Sequence, residues 1–207
     1  MLVFNFNMFG VLLMKKCVFC NIDNNKVENT IIEETNNFYV IPCVGALVEG
    51  YLLIVSKRHI FSMSQLSIEE QKDYINLLNK YREKFKSIYN KYPIIFEHGS
   101  SNNKTNKSAN SVFHAHTHIV NHEFSDEKTI IKDIGFNICN FNSIYPKDTN
   151  YIYYINNNHQ EYVSYTFEPI SQLMRIYIAK DLNLFQKYDW RKEKFENNII
   201  KTISRFK

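Results

Sequence analysis

Between Phe113 and Val120 the chain reads Phe-His-Ala-His-Thr-His-Ile-Val, so His114, His116 and His118 recur at every second position. A period of two belongs to a β-strand, whose successive side chains leave on opposite faces. A helix would scatter the same three imidazoles around its circumference. The spacing therefore predicts a strand over residues 112–120, with three imidazoles on one face and Ala115, Thr117 and Ile119 turned to a core. The remaining four of the seven histidines, His59, His98, His122 and His159, show no such order. Chance is a poor account of strict alternation.

The flanking segments supply a sheet and a helix for that strand. Residues 38–41 and 51–55 are short β-branched and aromatic runs that predict strands, joined through a turn or wide loop at Pro42, Gly45 and Gly50. Ser67-Ile68-Glu69-Glu70 has the spacing of a capping box. Behind it Ile75, Leu78, Tyr81, Phe85 and Ile88 recur at three- and four-residue steps, which predicts a helix to about Tyr89, closed by Pro93. Residues 94–97 read as a strand, followed by a polar loop over 99–110. Residues 151–155 and 162–167 read as a hairpin around Asn156-Asn157-Asn158, and residues 171–179 and 190–203 as helices. No internal repeat is present.

Three chemistries suit a histidine row. The placement can be incidental. Two histidines two apart on a strand can share a zinc ion with a third ligand beyond, and three along a nearly straight strand fit one ion less comfortably, since zinc wants nitrogen at ~2 Å. Or one neutral imidazole attacks phosphorus, a neighbour gives a proton to the leaving group, and a third orients the nucleophile. Ser111 and the loop amides before it are then placed to hydrogen-bond phosphate oxygens.

Bulk composition narrows the setting. The chain has 207 residues, 44% hydrophobic and 22% charged, which suits one soluble globular domain with an appendage. The net charge of +4 comes from scattered lysines rather than a basic run. That is a solvated surface mildly favourable to anions, not a nucleic-acid face. The apolar stretch of residues 1–14 is shorter than the ~20 residues a membrane span needs. It also lacks the layout of a signal peptide, so no membrane association is expected and the location is read as intracellular, cytoplasmic. The stretch reads as a mobile tail, an added strand or a mis-assigned start, since Met14-Lys15-Lys16 would open the chain well. Four cysteines, Cys17, Cys20, Cys43 and Cys139, imply no disulfide framework. Cys17-x-x-Cys20 has a spacing suited to redox work or to a metal, and Cys43 and Cys139 read as buried thiols.

Several of these stretches resemble the histidine-triad (HIT) family in one order and spacing. His114-Ala115-His116-Thr117-His118-Ile119-Val120 is similar to its signature. "CVFCNI" from Cys17 resembles the start of many bacterial-type members, and "GYLLIVSKRHI" from Gly50 resembles the family's Gly-His strand ending in Pro-Lys-x-His. "NSVFHAHTHIV" from Asn110 resembles its approach to the triad. The likeness covers about residues 17–120. "FEHG", "SQLMRIYIA" and "DWRKEKFENNIIKTI" resemble a longer HIT-like branch with a C-terminal extension.

The resemblance implies an α+β fold: an antiparallel sheet with a long helix, here with a C-terminal strand and helix extension. It divides the chain into a tail (1–14), a HIT domain (15–124) and an extension packed on it (125–207). It implies a homodimer and a nucleotide substrate cut at the α-phosphorus through a covalent nucleotidyl-histidine. His116 would be the nucleophile, and His118 would contact the scissile phosphate and, as an imidazolium, assist the leaving group. His114 would buttress them, Ser111 would contact phosphate, and Asn110 would join Ser111 and His118 in binding nucleotide. A histidine at 118, rather than glutamine, points to hydrolysis of dinucleoside polyphosphates or nucleoside phosphoramidates, without an organic cofactor. Structural zinc would sit on Cys17, Cys20, His59 and His114. A noncatalytic nucleotide- or zinc-binding HIT module with a regulatory role is the second reading, and a metallohydrolase using the triad as ligands a third.

The chain departs from the pattern at several places. The signature's Gly-His is Gly50-Tyr51, Glu97-His98-Gly99 stands for the commoner Asn-x-Gly, and the strand at 38–41 carries no acidic residue. His98, His122 and His159 read as surface histidines, and Trp190 as a packing anchor.

Overall fold

The computed structural model describes residues 17–23, 26–101, 111–140, 149–166 and 168–207. Residues 1–14 and Asn110 lie outside the described residues. Strand runs such as Tyr-Leu-Leu-Ile-Val-Ser and Tyr-Ile-Tyr-Tyr-Ile lack polar alternation because both their faces are covered. They assemble an eight-stranded sheet: β1 (Glu33–Glu34), β2 (Phe38–Pro42), β3 (Tyr51–Ser56), β4 (Ile94–Gly99), β5 (His116–Val120), β6 (Asn137–Ile138), β7 (Tyr151–Ile155) and β8 (Glu161–Ser164). The order is β1-β2-β3-β5-β4-β7-β8-β6, and every pairing is antiparallel. The C-terminal hairpin of β7 and β8 thus extends the same sheet through β4.

Helix α1 (Ile68–Tyr89) begins where the capping box predicts. Ser67 Oγ accepts from the Glu70 amide at 3.2 Å while the Glu70 carboxylate accepts from the Ser67 amide at 2.7 Å. It ends on Asn90, whose left-handed φ of 55° turns the chain out before Pro93. Its apolar stripe of Tyr74, Leu77, Leu78, Tyr81 and Phe85 covers Phe38, Val40, Leu52, Ile54, Ile95 and Ile119. The opposite face, with Ile41, Leu53, Val55, Phe96 and Tyr154, is covered by α2 (Glu127–Ile134), α3 (Leu173–Asp181) and the start of α4 (Glu196–Phe206). The end of α4 wraps the sheet edge, where Phe206 meets Tyr81 and Phe85. Among the described residues no helix is long and apolar enough to cross a membrane.

Some boundaries differ from expectation. The strand predicted from residue 112 begins only at His116. Two non-local bonds bend the chain first: the Ala115 amide donates to the Ile60 carbonyl at 2.7 Å, and the Ser56 amide to the Ala115 carbonyl at 3.2 Å. The helix predicted from Trp190 begins at Glu196, because Phe195 takes a left-handed φ of 56°. Helix α2 was not anticipated, although Asp126, which accepts from the Thr129 amide at 3.2 Å, and Gly135 at φ 69° are ordinary start and stop signals. Cys139 is half-buried rather than buried. His122 is buried and paired with Asp181 at 3.1 Å, not solvated.

Candidate functional site

The triad divides between two centres. His116 and His118 lie on β5 and line a cleft of about 320 Å³. His114, at the bend that leads into β5, faces the N-terminal arm. Its Nε2 lies 2.6 Å from the Ser56 carbonyl, so that nitrogen carries the hydrogen and Nδ1 keeps its lone pair.

That lone pair enters a cluster of four donors. His114 Nδ1 is 3.2 Å from His59 Nδ1, 3.4 Å from Cys17 Sγ and 3.5 Å from Cys20 Sγ, and Cys20 Sγ is 3.1 Å from His59 Nδ1. All four atoms lie within 4.8 Å of one another. A tetrahedral ion with sulfur at ~2.3 Å and nitrogen at ~2.0 Å spaces its ligand atoms roughly 3.3–3.8 Å apart. The set therefore fits a closed two-thiolate, two-imidazole metal site, with the Ser56 carbonyl fixing one ligand's tautomer from behind. Without a cation two thiolates cannot share this space: burial and the neighbouring Cys17 push the Cys20 thiol up to about 12. The four residues singled out from the sequence are the four brought together.

In the cleft, His116 Nδ1 lies 2.7 Å from the His114 carbonyl. A carbonyl only accepts, so Nδ1 bears the hydrogen and Nε2 is left with a lone pair. Burial lowers the His116 pKa, which keeps the ring neutral near pH 7. His114 thus buttresses His116 through its backbone, while its own ring serves the other centre. His118 stacks on Phe96 with centroids 4.4 Å apart, and its Nδ1 is 3.1 Å from the Tyr51 hydroxyl. Burial first, then His116, His98 and Arg175, hold His118 well below the usual histidine range. It is uncharged in the free protein, so an imidazolium able to assist a leaving group would have to form with substrate bound. His98, expected at the surface, is 6% exposed, lines the same cleft, and is held down to about 3 by burial and His116.

Ser111 is at the cleft as expected. Its hydroxyl accepts the indole N–H of Trp190 at 3.1 Å, so Trp190 is part of the site rather than only a packing anchor. The C-terminal segment also contributes Gln172, Arg175, Arg191 and Lys194, and the N-terminal arm Phe19, Asp23 and Glu28. Sequence reasoning missed these. For Arg175 a signal existed: it is a lone charge inside the apolar run Leu-Met-Arg-Ile-Tyr-Ile, and charged residues are seldom buried without a purpose.

Comparison with known proteins agrees with the geometry. A family model described as scavenger mRNA decapping enzyme C-terminal binding matches residues 16–132. The curated "Protein hit" of Bacillus subtilis (strain 168) is 23% identical over 106 residues, 51% of this chain and 70% of that protein. Similar solved structures include a zinc-bound histidine triad family protein from Mycobacterium smegmatis, at 20% identity and TM-score 0.41, covering 55% of this chain and 80% of that one. A member of the HIT family from Bacillus subtilis gives 20% identity and TM-score 0.42, covering 51% and 72%. Because the family model spans more than half of the chain and encloses both the cysteine pair and the histidine row, this protein belongs to that family and is a histidine-triad (HIT) protein.

Proposed function

We propose that the protein is a nucleotide hydrolase acting at the α-phosphorus of dinucleoside polyphosphates or nucleoside phosphoramidates through a nucleotidyl-His116 intermediate. The observation that carries this reading is the His116 Nδ1 contact with the His114 carbonyl at 2.7 Å, which commits the ring's free lone pair to Nε2 beside the cleft. Hydrophobic Phe19, Ile41 and Leu53 offer a surface for a base, and Ser111 and His118 offer donors to phosphate. Asn110 is proposed as a further phosphate-side donor.

The chemistry runs in two displacements. His118 takes up a proton as the anionic substrate enters, because a phosphate against an imidazole favours its charged form. His116 Nε2 then bonds to phosphorus, and the leaving oxygen or nitrogen departs with the bonding pair and the proton from His118. Water, returning a proton to His118, next displaces the ring and releases a nucleoside monophosphate. Cys17, Cys20, His59 and His114 would hold zinc, which ties the N-terminal arm to the triad segment and takes no part in these steps.

Incubation with a diadenosine polyphosphate or an adenosine phosphoramidate, followed by rapid quench and peptide mass spectrometry, tests the reading. A nucleotide mapped to His116 is expected, with turnover falling by at least ~10³ in His116→Asn. Binding without turnover by the wild-type protein would instead establish a noncatalytic module.

A further inference from the structure

Arg175 brings a charge into the least accessible part of the cleft wall, where it is 2% exposed. Its Nη2 donates to the Gly45 carbonyl at 2.6 Å and to the Tyr188 carbonyl at 3.1 Å, and Nε donates to the same Tyr188 carbonyl at 3.2 Å. Nη1 meets the Cys43 sulfur at 3.7 Å. No carboxylate among the described residues is within ion-pair distance of it. A buried guanidinium held mainly by dipoles, with Asp189 as a more distant countercharge, is costly, and a use for its charge follows from what lies beside it.

The guanidinium lies over the Tyr51 ring, 5.4 Å from its centroid. Tyr51 is fully buried, and its hydroxyl is the group beside His118 Nδ1 at 3.1 Å. A phenol has one hydrogen, and a guanidinium can only donate. Arg175 also hydrogen-bonds the Tyr51 hydroxyl, which can only accept there; the phenol hydrogen is left for His118 Nδ1 or the Cys43 sulfur, and the ring nitrogen is the stronger acceptor of the two. Neutral imidazole carries one N–H, so an Nδ1 that accepts leaves the hydrogen on Nε2.

We propose that Arg175 and Tyr51 form a positioning pair that locks His118 as the Nε2–H tautomer, so that it presents a hydrogen-bond donor to a phosphate in the cleft. Arg175 comes from the C-terminal segment and Tyr51 from the strand where the family's signature has histidine. The device therefore gives that segment a part in the triad's chemistry. It also agrees with the direction of the His118 shift, to which burial contributes most and Arg175 adds. The tautomer stands whether or not the chain hydrolyses nucleotides, and only its use rests on the function proposed above.

Long-range proton–nitrogen correlation spectra of the full chain with ¹⁵N-labelled histidine read the tautomer directly, with His118 assigned by its loss in His118→Gln. At pH 7.5 the wild type should show protonated Nε2 and bare Nδ1 at His118. Tyr51→Phe, which keeps the ring, should shift His118 to a mixture or to Nδ1–H, while His122 is unchanged. Arg175→Met should do the same, and Arg175→Lys, which restores a donor cation, should return part of the Nε2–H signal. If Arg175→Met does not fold, Tyr51→Phe decides alone. A wild-type His118 protonated on Nδ1, or a Tyr51→Phe spectrum identical to wild type, overturns the proposal. Absence of a nucleotide adduct on His116 with the tautomer as stated would defeat the hydrolase reading and leave the lock standing.

Discussion

His59 Nδ1 and His114 Nδ1 face each other at 3.2 Å, two ring nitrogens from segments 55 residues apart. Since His114 keeps its hydrogen on Nε2 for the Ser56 carbonyl, its Nδ1 can only accept there. A cation between the rings and the two cysteine sulfurs satisfies all four at once. Purified protein is therefore expected to carry one zinc per chain by elemental mass spectrometry. Cys17→Ser/Cys20→Ser should lose it and at least about 2 kcal/mol of stability, a melting temperature lower by roughly 4–8 °C. Chelation should weaken turnover without abolishing it. Outright loss in a still-folded protein would favour a metallohydrolase.

Glu97 and His98 are neighbours on β4 with opposite surroundings. Glu97 points away from the cleft, accepts from the Met63 amide and the Tyr151 hydroxyl at 2.7 Å each, and is pushed up to about 7 by burial. Its folded-state pKa is raised, so its contribution is greatest below the unfolded value and is lost as pH rises through 7. Between pH 5 and pH 8 this removes about 2–3 kcal/mol of stability. Glu97→Gln should flatten that decline, measured as urea unfolding free energy at the two pH values against wild type. His98, whose pKa is lowered, works in the opposite sense, with stability lost as pH falls from 6.5 toward 3. A variant with the wild-type slope would show Glu97 to be ionised throughout.

The parts of this molecule that were legible in sequence are those encoded by local spacing. The Ser67–Glu70 box is contained in four residues, and it starts α1 where expected. Cys17-x-x-Cys20 and the alternating histidines likewise carry their own geometry. What was not legible depends on tertiary placement. The bend before β5 is imposed by the carbonyl of Ile60, which no pattern near Val112 announces. Trp190 and Arg175 reach the cleft only because the C-terminal segment folds back over the histidine face. The burial that keeps His118 neutral in the free protein is likewise a tertiary property, with no signal in the alternating histidines.

Gly45 shows how closely that segment is seated. Its φ is 72°, and a Cβ there would stand 2.7 Å from the Trp190 Cβ and 2.9 Å from Arg175 Nη2. Gly45→Ala combines backbone strain with a clash against two cleft residues. A loss of about 1–3 kcal/mol is expected, seen as a fall of roughly 3–10 °C in melting temperature. Turnover should fall further than partial unfolding accounts for at 25 °C. Unchanged kcat/KM in the folded variant would mean that the Gly45–Arg175–Trp190 contact is not needed for the site's shape.

The indole N–H of Trp190 donates to Ser111 Oγ at 3.1 Å, which leaves the serine hydrogen free to donate into the cleft. Trp190→Phe keeps an aromatic ring but removes that tie, so Ser111 loses its orientation rather than its hydroxyl. One hydrogen bond of net worth about 1 kcal/mol predicts a five- to tenfold lower kcat/KM with little change in melting temperature. Ser111→Ala should lose more, because it removes the hydroxyl proposed to donate to phosphate. If the indole acts through the serine, Trp190→Phe in the Ser111→Ala background should cost almost nothing, and the double-mutant cycle will show an interaction energy near the full single-variant effect. Additive losses would assign Trp190 a direct contact with substrate instead.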